Sequence, residues 1–125
     1  MKKILNFYVL LCFLAVAAAF TSCKKTDIPV LTTTAISSIT TTSAATGGNI
    51  TDDGGATVTS KGVCYSTSPN PTLADNFTSD GSGTGIFTSS LAGLSASTLY
   101  YVRAYATNAE GTAYGDEMTF KTASK

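Results

Sequence analysis

The chain has 125 residues, enough for one domain of ordinary size, with no His, no Trp and 3 Cys. The absence of His excludes Ser-His-Asp and Cys-His nucleophile systems and His-ligated metals, and three separated Cys cannot form a four-Cys zinc site. Eight basic residues balance eight acidic ones, so the basic surface of a nucleic-acid binder is missing. We therefore predict no catalytic residues, no metal site, no cofactor and no nucleic-acid partner.

The first 22 residues differ in character from the rest of the chain. Lys2 and Lys3 precede an apolar run from Ile4 to Phe20, and small residues follow the run. A basic start, an apolar centre and small residues at the end are typical of a secretory signal peptide. The run is shorter than the ~20 apolar residues that a spanning helix needs, which disfavours the alternative of a retained membrane anchor. We predict that residues 1–22 are a cleaved signal.

The signal ends in Phe20-Thr21-Ser22-Cys23, which resembles the lipobox of bacterial lipoproteins in the looser form of Bacteroidetes-type bacteria. In that family the Cys thiol carries a lipid, and cleavage leaves this Cys as the acylated first residue. The resemblance implies that Cys23 is lipidated and that the protein's membrane partner is reached through this N-terminal anchor. Several acyl chains make a stable attachment. The implied location is the outer membrane, facing either the periplasm or the exterior.

The chain from Cys23 onwards is rich in residues that favour strands and turns. It contains 21 Thr, 13 Ser and all 11 Gly, and six basic against eight acidic residues make its net charge −2. Without Lys24 and Lys25 beside the anchor the net charge is −4. Only Cys64 remains for a disulfide, so stability must come from a packed core. We predict a lipidated Cys and short tether over residues 23–31, then a domain over residues 32–125.

Short strands separated by turn residues occupy this domain. Asp52-Asp53-Gly54-Gly55 and Asp80-Gly81-Ser82-Gly83 are predicted to be tight turns; their carboxylates lack the ligand alternation of a calcium loop. The patterns of β-branched and aromatic residues place strands at 32–38, 42–51, 58–66, 77–79, 86–91, 99–107 and 112–122. About seven short strands with regular turns indicate an all-β sandwich.

The run Gly-Leu-Ser-Ala-Ser-Thr-Leu-Tyr-Tyr-Val-Arg-Ala-Tyr-Ala-Thr-Asn over residues 93–108 resembles the E–F corner and F strand of fibronectin type III domains. Residues 62–72 and 108–115 resemble a variant of this domain that is frequent in Bacteroidetes surface proteins. The resemblance covers about residues 30–122 and implies an immunoglobulin-like sandwich of about seven strands. A resemblance at the level of the fold says little about function.

Tyr100 takes the position of the corner tyrosine in this resemblance, which implies that its hydroxyl binds an upstream backbone group. The two-residue period of a strand then turns Val102, Ala104 and Ala106 inward. Because these side chains are small, the opposite sheet must supply bulk, and the predicted suppliers are Ile50, Phe87, Leu91, Leu94 and Phe120.

The outward row of the same strand, Tyr101, Arg103 and Tyr105, is the candidate binding surface. Two rings that flank a guanidinium can stack on a sugar or bind a carboxylate of a partner protein. The alternative is that these residues only form cross-strand pairs on an exposed sheet face. Tyr114 either extends the row or belongs to the core.

Cys64 lies in a strand that has two possible phases. We favour Val63 and Tyr65 facing inward with Cys64 outward, because burying an aromatic ring contributes more than burying a thiol. An outward Cys64 either forms an intermolecular disulfide or is a small, unreactive residue.

These expectations combine into a functional hypothesis. The sequence predicts a non-catalytic lipoprotein of the cell envelope that displays a β-sandwich as a binding or adhesion module for a protein or glycan. The alternative is a structural spacer, or a truncated member of a larger cell-surface protein, with no ligand of its own.

Overall fold

The computed structural model describes residues 25–125, and the predicted signal peptide and Cys23 lie outside the described residues. Within this range the chain forms eight strands and no helix, so no helix long and apolar enough to cross a membrane occurs there. The strands are β1 Val30–Thr33, β2 Ala44–Asp52, β3 Ser60–Ser66, β4 Asn76–Phe77, β5 Gly85–Leu91, β6 Leu99–Asn108, β7 Gly111–Tyr114 and β8 Met118–Lys121.

The strands form two antiparallel sheets that pack face to face. Sheet A has the order β1-β2-β5, and sheet B has the order β4-β3-β6-β7, with β8 also paired to β6. The all-β sandwich predicted from the sequence is confirmed. Most strand positions agree with the prediction to within two residues.

The core lies between the inner faces of the sheets. Val102, Ala104 and Ala106 of β6 face inward and are completely buried, as predicted. Sheet A supplies Ile50, Phe87 and Leu91, as expected from the small side chains that oppose them. Phe120 is buried, but it lies on β8 in the same sheet as Tyr100 and stacks on that ring, so its predicted place in the opposite sheet is wrong.

A glycine in β2 allows close packing at the centre of the sandwich. A Cβ at Gly48 would lie 2.7 Å from the Cβ of Ala104 and 3.0 Å from the Phe87 ring. Non-bonded carbon atoms do not approach to 2.7 Å, because their van der Waals surfaces would overlap. Gly48 therefore makes room for the ring that fills the space above the small β6 side chains.

The final strand is interrupted, whereas the sequence predicted one strand over residues 112–122. Thr33 crosses from sheet A, and its hydroxyl accepts a hydrogen bond from the Ala104 N–H at 2.9 Å. The N–H of Gly115 donates to the Ala104 carbonyl at 2.8 Å, and a Cβ on Gly115 would lie 2.7 Å from the Thr33 hydroxyl. The ladder therefore breaks at Gly115, and β7 and β8 are separate.

The ordered fold also begins earlier than the predicted domain start at residue 32. Val30 and Leu31 lie in β1, Leu31 is in the core, and Pro29 is buried. Asp27 is bonded to the fold because its N–H donates to the Gly54 carbonyl at 2.8 Å. Beyond Thr33 the first predicted strand, 32–38, is reduced to an isolated bridge between residues 37 and 45.

Candidate functional site

The outer face of sheet B carries the residues that the sequence selected as a binding surface. Tyr101, Arg103 and Tyr105 alternate with the buried residues of β6 and point away from the core. The strand register pairs Arg103 with Cys64 and Tyr105 with Gly62. Paired residues of antiparallel strands point to the same face, so the Cys64 thiol and the Tyr105 ring lie on this outer face together.

A segment that we call the strap, residues 67–80, folds across this face. It leaves β3 after Ser66, passes over β6 towards β7 and returns as β4 beside β3. Gly62 provides the space for its return, since a Cβ there would lie 2.2 Å from the Thr78 carbonyl oxygen. The Val63 N–H donates to the Thr78 hydroxyl at 3.0 Å, and the Thr78 N–H donates to the Val63 carbonyl at 2.9 Å.

Tyr105 lies beneath the strap, and its predicted place in an exposed row is wrong. Only 2% of its surface is exposed. Its hydroxyl donates to the Thr78 carbonyl at 2.6 Å, and Phe77 contacts the ring edge-on with 6.1 Å between centroids. Tyr105 points away from the core as expected, but the strap forms a second layer over it. It stabilises that layer and is not available to a ligand.

Arg103 fixes the middle of the strap. Its Nε donates to the Pro71 carbonyl at 2.6 Å, and its guanidinium carbon lies 4.1 Å from the centroid of the Tyr114 ring. The Tyr114 hydroxyl accepts the Leu73 N–H at 3.3 Å, so both sides of the strap's bend are held. Tyr114 thus lies on the outer face and not in the core, which decides between the two predicted positions.

Two rings and a guanidinium next to the strap remain partly accessible on this face, beside the exposed Leu99, Thr119 and Lys121 of β6 and β8. Tyr101, Arg103 and Tyr114 are each half-buried. The guanidinium of Arg103 lies over the Tyr114 ring, and Tyr101 is two residues before Arg103 on β6. The arrangement of two rings and a guanidinium that the sequence suggested is present, with Tyr114 in the place expected of Tyr105. We call these three residues the aromatic–arginine surface.

Cys64 has the predicted outward phase, yet the strap buries it. Val63 is in the core and Tyr65 packs against it, which confirms the favoured phase. Cys64 has no exposed surface, so outward orientation did not mean accessibility. Loss of solvation raises the pKa of the thiol to about 12; the charge of Arg103 lowers the pKa and that of Asp75 raises it. The thiol is protonated at neutral pH and is not a nucleophile.

The carboxylates of the predicted turns have local partners. The Gly54 N–H donates to Asp52 at 2.9 Å and the Gly55 N–H donates to Asp53 at 2.8 Å, while both glycines have positive φ. The turn is confirmed, with each Asp acting on the backbone two residues later. A shallow depression of about 380 Å³ lies beside this turn. Among residues 25–125 no three His, Cys, Asp or Glu side chains are grouped to hold a metal ion.

Asn108 organises the end of the molecule at which this turn lies, a role that the sequence pattern did not predict. Its Nδ2 donates to the carbonyls of Asp27 and Asp53 at 2.7 and 2.8 Å. Its Oδ1 accepts the N–H groups of Glu110 and Gly111 at 2.8 and 3.2 Å. The only available sequence signal was an Asn at the end of a strong strand, which by itself indicates a turn.

No family model and no curated protein matches the chain. Solved structures do match. The sensor domain of the anti-sigma factor RsgI4 from Pseudobacteroides cellulosolvens matches with a TM-score of 0.58 and 19% identity over 81% of this chain and 100% of that chain. The third fibronectin type III domain of human KIAA0343 protein matches with a TM-score of 0.55 and 15% identity over 82% and 89%, respectively.

A computationally redesigned β-sandwich protein also matches, with a TM-score of 0.53 and 20% identity over 80% of this chain and 98% of that chain. At these identities the likeness concerns the fold alone. In the strand order found here, three strands face a sheet built on β3 and β6. The strand order and the matched structures lead to the same conclusion. The chain folds as a fibronectin type III-like β-sandwich.

Proposed function

We propose that this protein is a non-catalytic lipoprotein of the bacterial outer envelope that presents one β-sandwich as a glycan-binding module. The aromatic–arginine surface is the observation that carries the proposal. The guanidinium of Arg103 already lies over the Tyr114 ring and donates to the Pro71 carbonyl. Little side-chain freedom of Arg103 is therefore lost when a ligand binds. Aromatic rings and arginine are enriched among the residues that dominate binding energy.

The charge of the domain favours a neutral ligand. Beyond Lys24 and Lys25 the domain has net charge −4, which repels acidic partners at long range. A sugar ring can stack on Tyr101 and receive hydrogen bonds from the guanidinium of Arg103 without bringing a negative charge. A neutral glycan therefore fits this surface better than an acidic peptide.

The attachment of the N-terminal segment supports display from a membrane. If Cys23 carries the lipid, only residues 24–26 separate it from Asp27, which is bonded to Gly54 and Asn108. An extended chain spans at most ~3.6 Å per residue, so a linker of this length can reach no more than about 15 Å. The turn around Gly54 would then sit near the membrane, and the opposite end of the sandwich would point away from it.

The RsgI4 match adds a consistent parallel. That protein's domain is described as the sensor domain of an anti-sigma factor. A sensor must recognise a signal, and recognition of a ligand is the class of task that we propose here.

Binding is tested by exposing the purified full chain to an array of neutral and acidic glycans. We expect a neutral glycan to bind, Tyr101→Ala to weaken that binding at least tenfold, and Tyr101→Phe to retain most of it because the ring remains. Thr32→Ala, an exposed position on sheet A, serves as the matched control and should bind normally. Absence of any ligand, or full binding by Tyr101→Ala, contradicts the proposal.

Spacer function is the second candidate, and the positions of the first and last bonded segments of the described residues favour it. Asp27 lies at the end formed by Gly54 and Asn108, whereas Ala123 is bonded to Thr40 and Ser97 at the other end. Opposite ends allow a module to be placed in series between two others. A chain that binds nothing on the array but still reaches the cell surface would support this candidate.

The anchor is tested separately. Mass spectrometry of the protein from membranes should show a chain that begins at a lipidated Cys23, and Cys23→Ala should release the domain from the membrane fraction. Protease treatment of intact cells then reports which side of the outer membrane the domain faces. An uncut and unmodified N-terminus would contradict the anchor without bearing on glycan binding.

A further inference from the structure

The outer edge of β5 has unpaired backbone groups. The Thr34 N–H donates to the Gly47 carbonyl, and Ala45 is paired with Ser37, so the odd-numbered residues of β2 turn their peptide groups towards β1. Because consecutive residues alternate, Thr46 and Gly48 turn theirs towards β5.

The register pairs Thr46 with Ser89 and Gly48 with Phe87, so these β5 residues direct their peptide groups to β2. The alternate residues Ile86, Thr88 and Ser90 therefore direct their N–H and C=O groups away from the sheet. Within residues 25–125 these groups have no protein partner. The side chains of the same three residues are exposed, and Ile86 is 76% exposed.

This edge lacks the usual protection against pairing with another chain. Natural edge strands are blocked by short length, charged side chains, proline or irregular backbone. In this molecule β1 has four residues and follows Pro29, β4 has two residues, and the β7–β8 edge breaks at Gly115. By contrast, β5 has seven residues, Gly85–Leu91, with no charged residue and no proline.

We propose that β5 is an interface for a second copy of this chain, added antiparallel across a two-fold axis beside Thr88. Thr88 then pairs with Thr88 of the partner subunit, and Ile86 pairs with Ser90 of the partner subunit. The two three-stranded sheets become one continuous sheet. Each copy contributes its three outward N–H groups, and all of them meet outward carbonyls of the other copy.

A second copy suits this edge for two reasons. The three outward residues are evenly spaced about Thr88, so a single two-fold register satisfies every unpaired group on both strands. The strand is also uncharged, which matters because two acidic domains repel each other over most of their surface. Pairing along β5 brings no like charges of the two strands opposite one another.

The interface is small, which sets the conditions under which it forms. A seven-residue strand is about 24 Å long, and edge pairing alone buries on the order of 300 Å² per copy, against ~800 Å² in a standard stable interface. The dimer is therefore weak in dilute solution and is populated at high local concentration. Confinement to a membrane, which rests on the proposed function, would supply that concentration.

Cysteine cross-linking of the full chain tests both the interface and its register. In Thr88→Cys the two thiols face each other, so mild oxidation with copper phenanthroline should yield a covalent dimer. In Ile86→Cys or Ser90→Cys alone the copies of the new thiol lie about 14 Å apart, and dimer yield should be at least tenfold lower. Mixing these two variants should restore cross-linking. The unsubstituted chain controls for Cys12, Cys23 and Cys64.

Introducing a charge at the edge provides an independent test. Thr88→Lys should weaken self-association at least tenfold, measured by sedimentation of the full chain in detergent and by chemical cross-linking in membranes. Thr119→Lys, an exposed position on β8 of the other sheet, is the matched control and should associate normally. Thermal melts verify that both variants fold.

Several outcomes would overturn the proposal. One is a Thr88→Cys chain that cross-links no more than the unsubstituted chain, at millimolar concentration or in membranes. Another is an Ile86→Cys chain that cross-links as well as the Thr88→Cys chain. The third is a Thr88→Lys chain that self-associates as strongly as the unsubstituted chain. The result is separable from the anchor. Dimers formed by a chain with an unmodified Cys23 would contradict lipidation and support the interface.

Discussion

Asn108 shows how much one side chain can organise. It satisfies two carbonyls and two N–H groups from three separate segments of the chain, and it is 5% exposed. Buried polar groups that lose their partners cost more than the average hydrogen bond contributes, because they are not returned to water. The side chain therefore couples the start of the fold to the turn after β6.

We predict that Asn108→Ala lowers the free energy of unfolding by about 2–4 kcal/mol, since it leaves buried backbone groups without partners. Asn49→Ala is the control, because Asn49 is half-buried on the outer side of β2, and it should change stability by less than about 0.5 kcal/mol. Urea denaturation measures both. Equal effects of the two substitutions would show that the Asn108 bonds contribute little.

Tyr100 confirms the role implied by the fibronectin type III resemblance. Its hydroxyl accepts the Ser95 N–H at 2.8 Å, and its ring stacks on Phe120 with 5.6 Å between centroids. We predict that Tyr100→Ala costs about 3 kcal/mol or more through cavity formation, whereas Tyr100→Phe costs about 1 kcal/mol through loss of the bond alone. A denaturant melt in which Tyr100→Ala costs less than ~0.5 kcal/mol would place the ring outside the core.

The strap covers the outer face of sheet B, so a side chain there can point away from the core and still be buried. A strand pattern predicts which side of a sheet a residue faces, but it does not predict whether another segment covers that side. Residues 67–80 contain Pro, Asn and Ser and have the composition of an ordinary loop. Their contacts with Arg103, Tyr105 and Gly62 are all distant in sequence, so periodicity alone could not reveal them.

Displacing the strap should make Cys64 reactive. We predict that Gly62→Ala pushes Thr78 away and costs about 1–3 kcal/mol, because the new Cβ overlaps the Thr78 carbonyl. Tyr105→Phe removes the hydrogen bond to the Thr78 carbonyl, so it should also lower stability and speed Cys64 labelling, but by less than Gly62→Ala. The rate of Cys64 labelling by a thiol reagent under native conditions reports both effects.

Two controls define the strap prediction. Ser60→Ala lies on the outer face of the same strand and should leave the labelling rate unchanged. The unsubstituted domain should label only on unfolding, because the Cys64 thiol is fully buried. Rapid labelling of the folded, unsubstituted protein would mean that the strap does not cover the thiol.

At the scale of the whole molecule, buried groups on the outer face link stability to alkaline pH. The pKa of Cys64 is raised from 9.0 to about 12, and burial raises the pKa of Tyr105 as well. At a pH between these two pKa values, the folded protein keeps the Cys64 proton, whereas the unfolded chain releases it. The stabilisation is therefore complete below pH 9 and is lost as pH rises towards 12.

We predict that the free energy of unfolding decreases between pH 9 and pH 12, with Cys64 contributing at most about 1.4 kcal/mol per pH unit. Cys64→Ala should flatten part of this dependence and retain the part due to Tyr105. Urea melts across this pH range measure the slope. Identical slopes for the two proteins would show that the thiol ionises equally well when folded.

The sequence by itself determined the sandwich, the inward row of β6 and the corner role of Tyr100. The first two depend on two-residue alternation and on turn residues, which act over a few neighbouring positions. The role of Tyr100 was implied by the resemblance to fibronectin type III domains. Only the tertiary structure decided that Tyr105 and Cys64 are covered, that Tyr114 joins Arg103, that Thr33 divides the last strand and that β5 has an unprotected edge. Each of these depends on contacts between segments far apart in the chain, and no local pattern encodes where such segments meet.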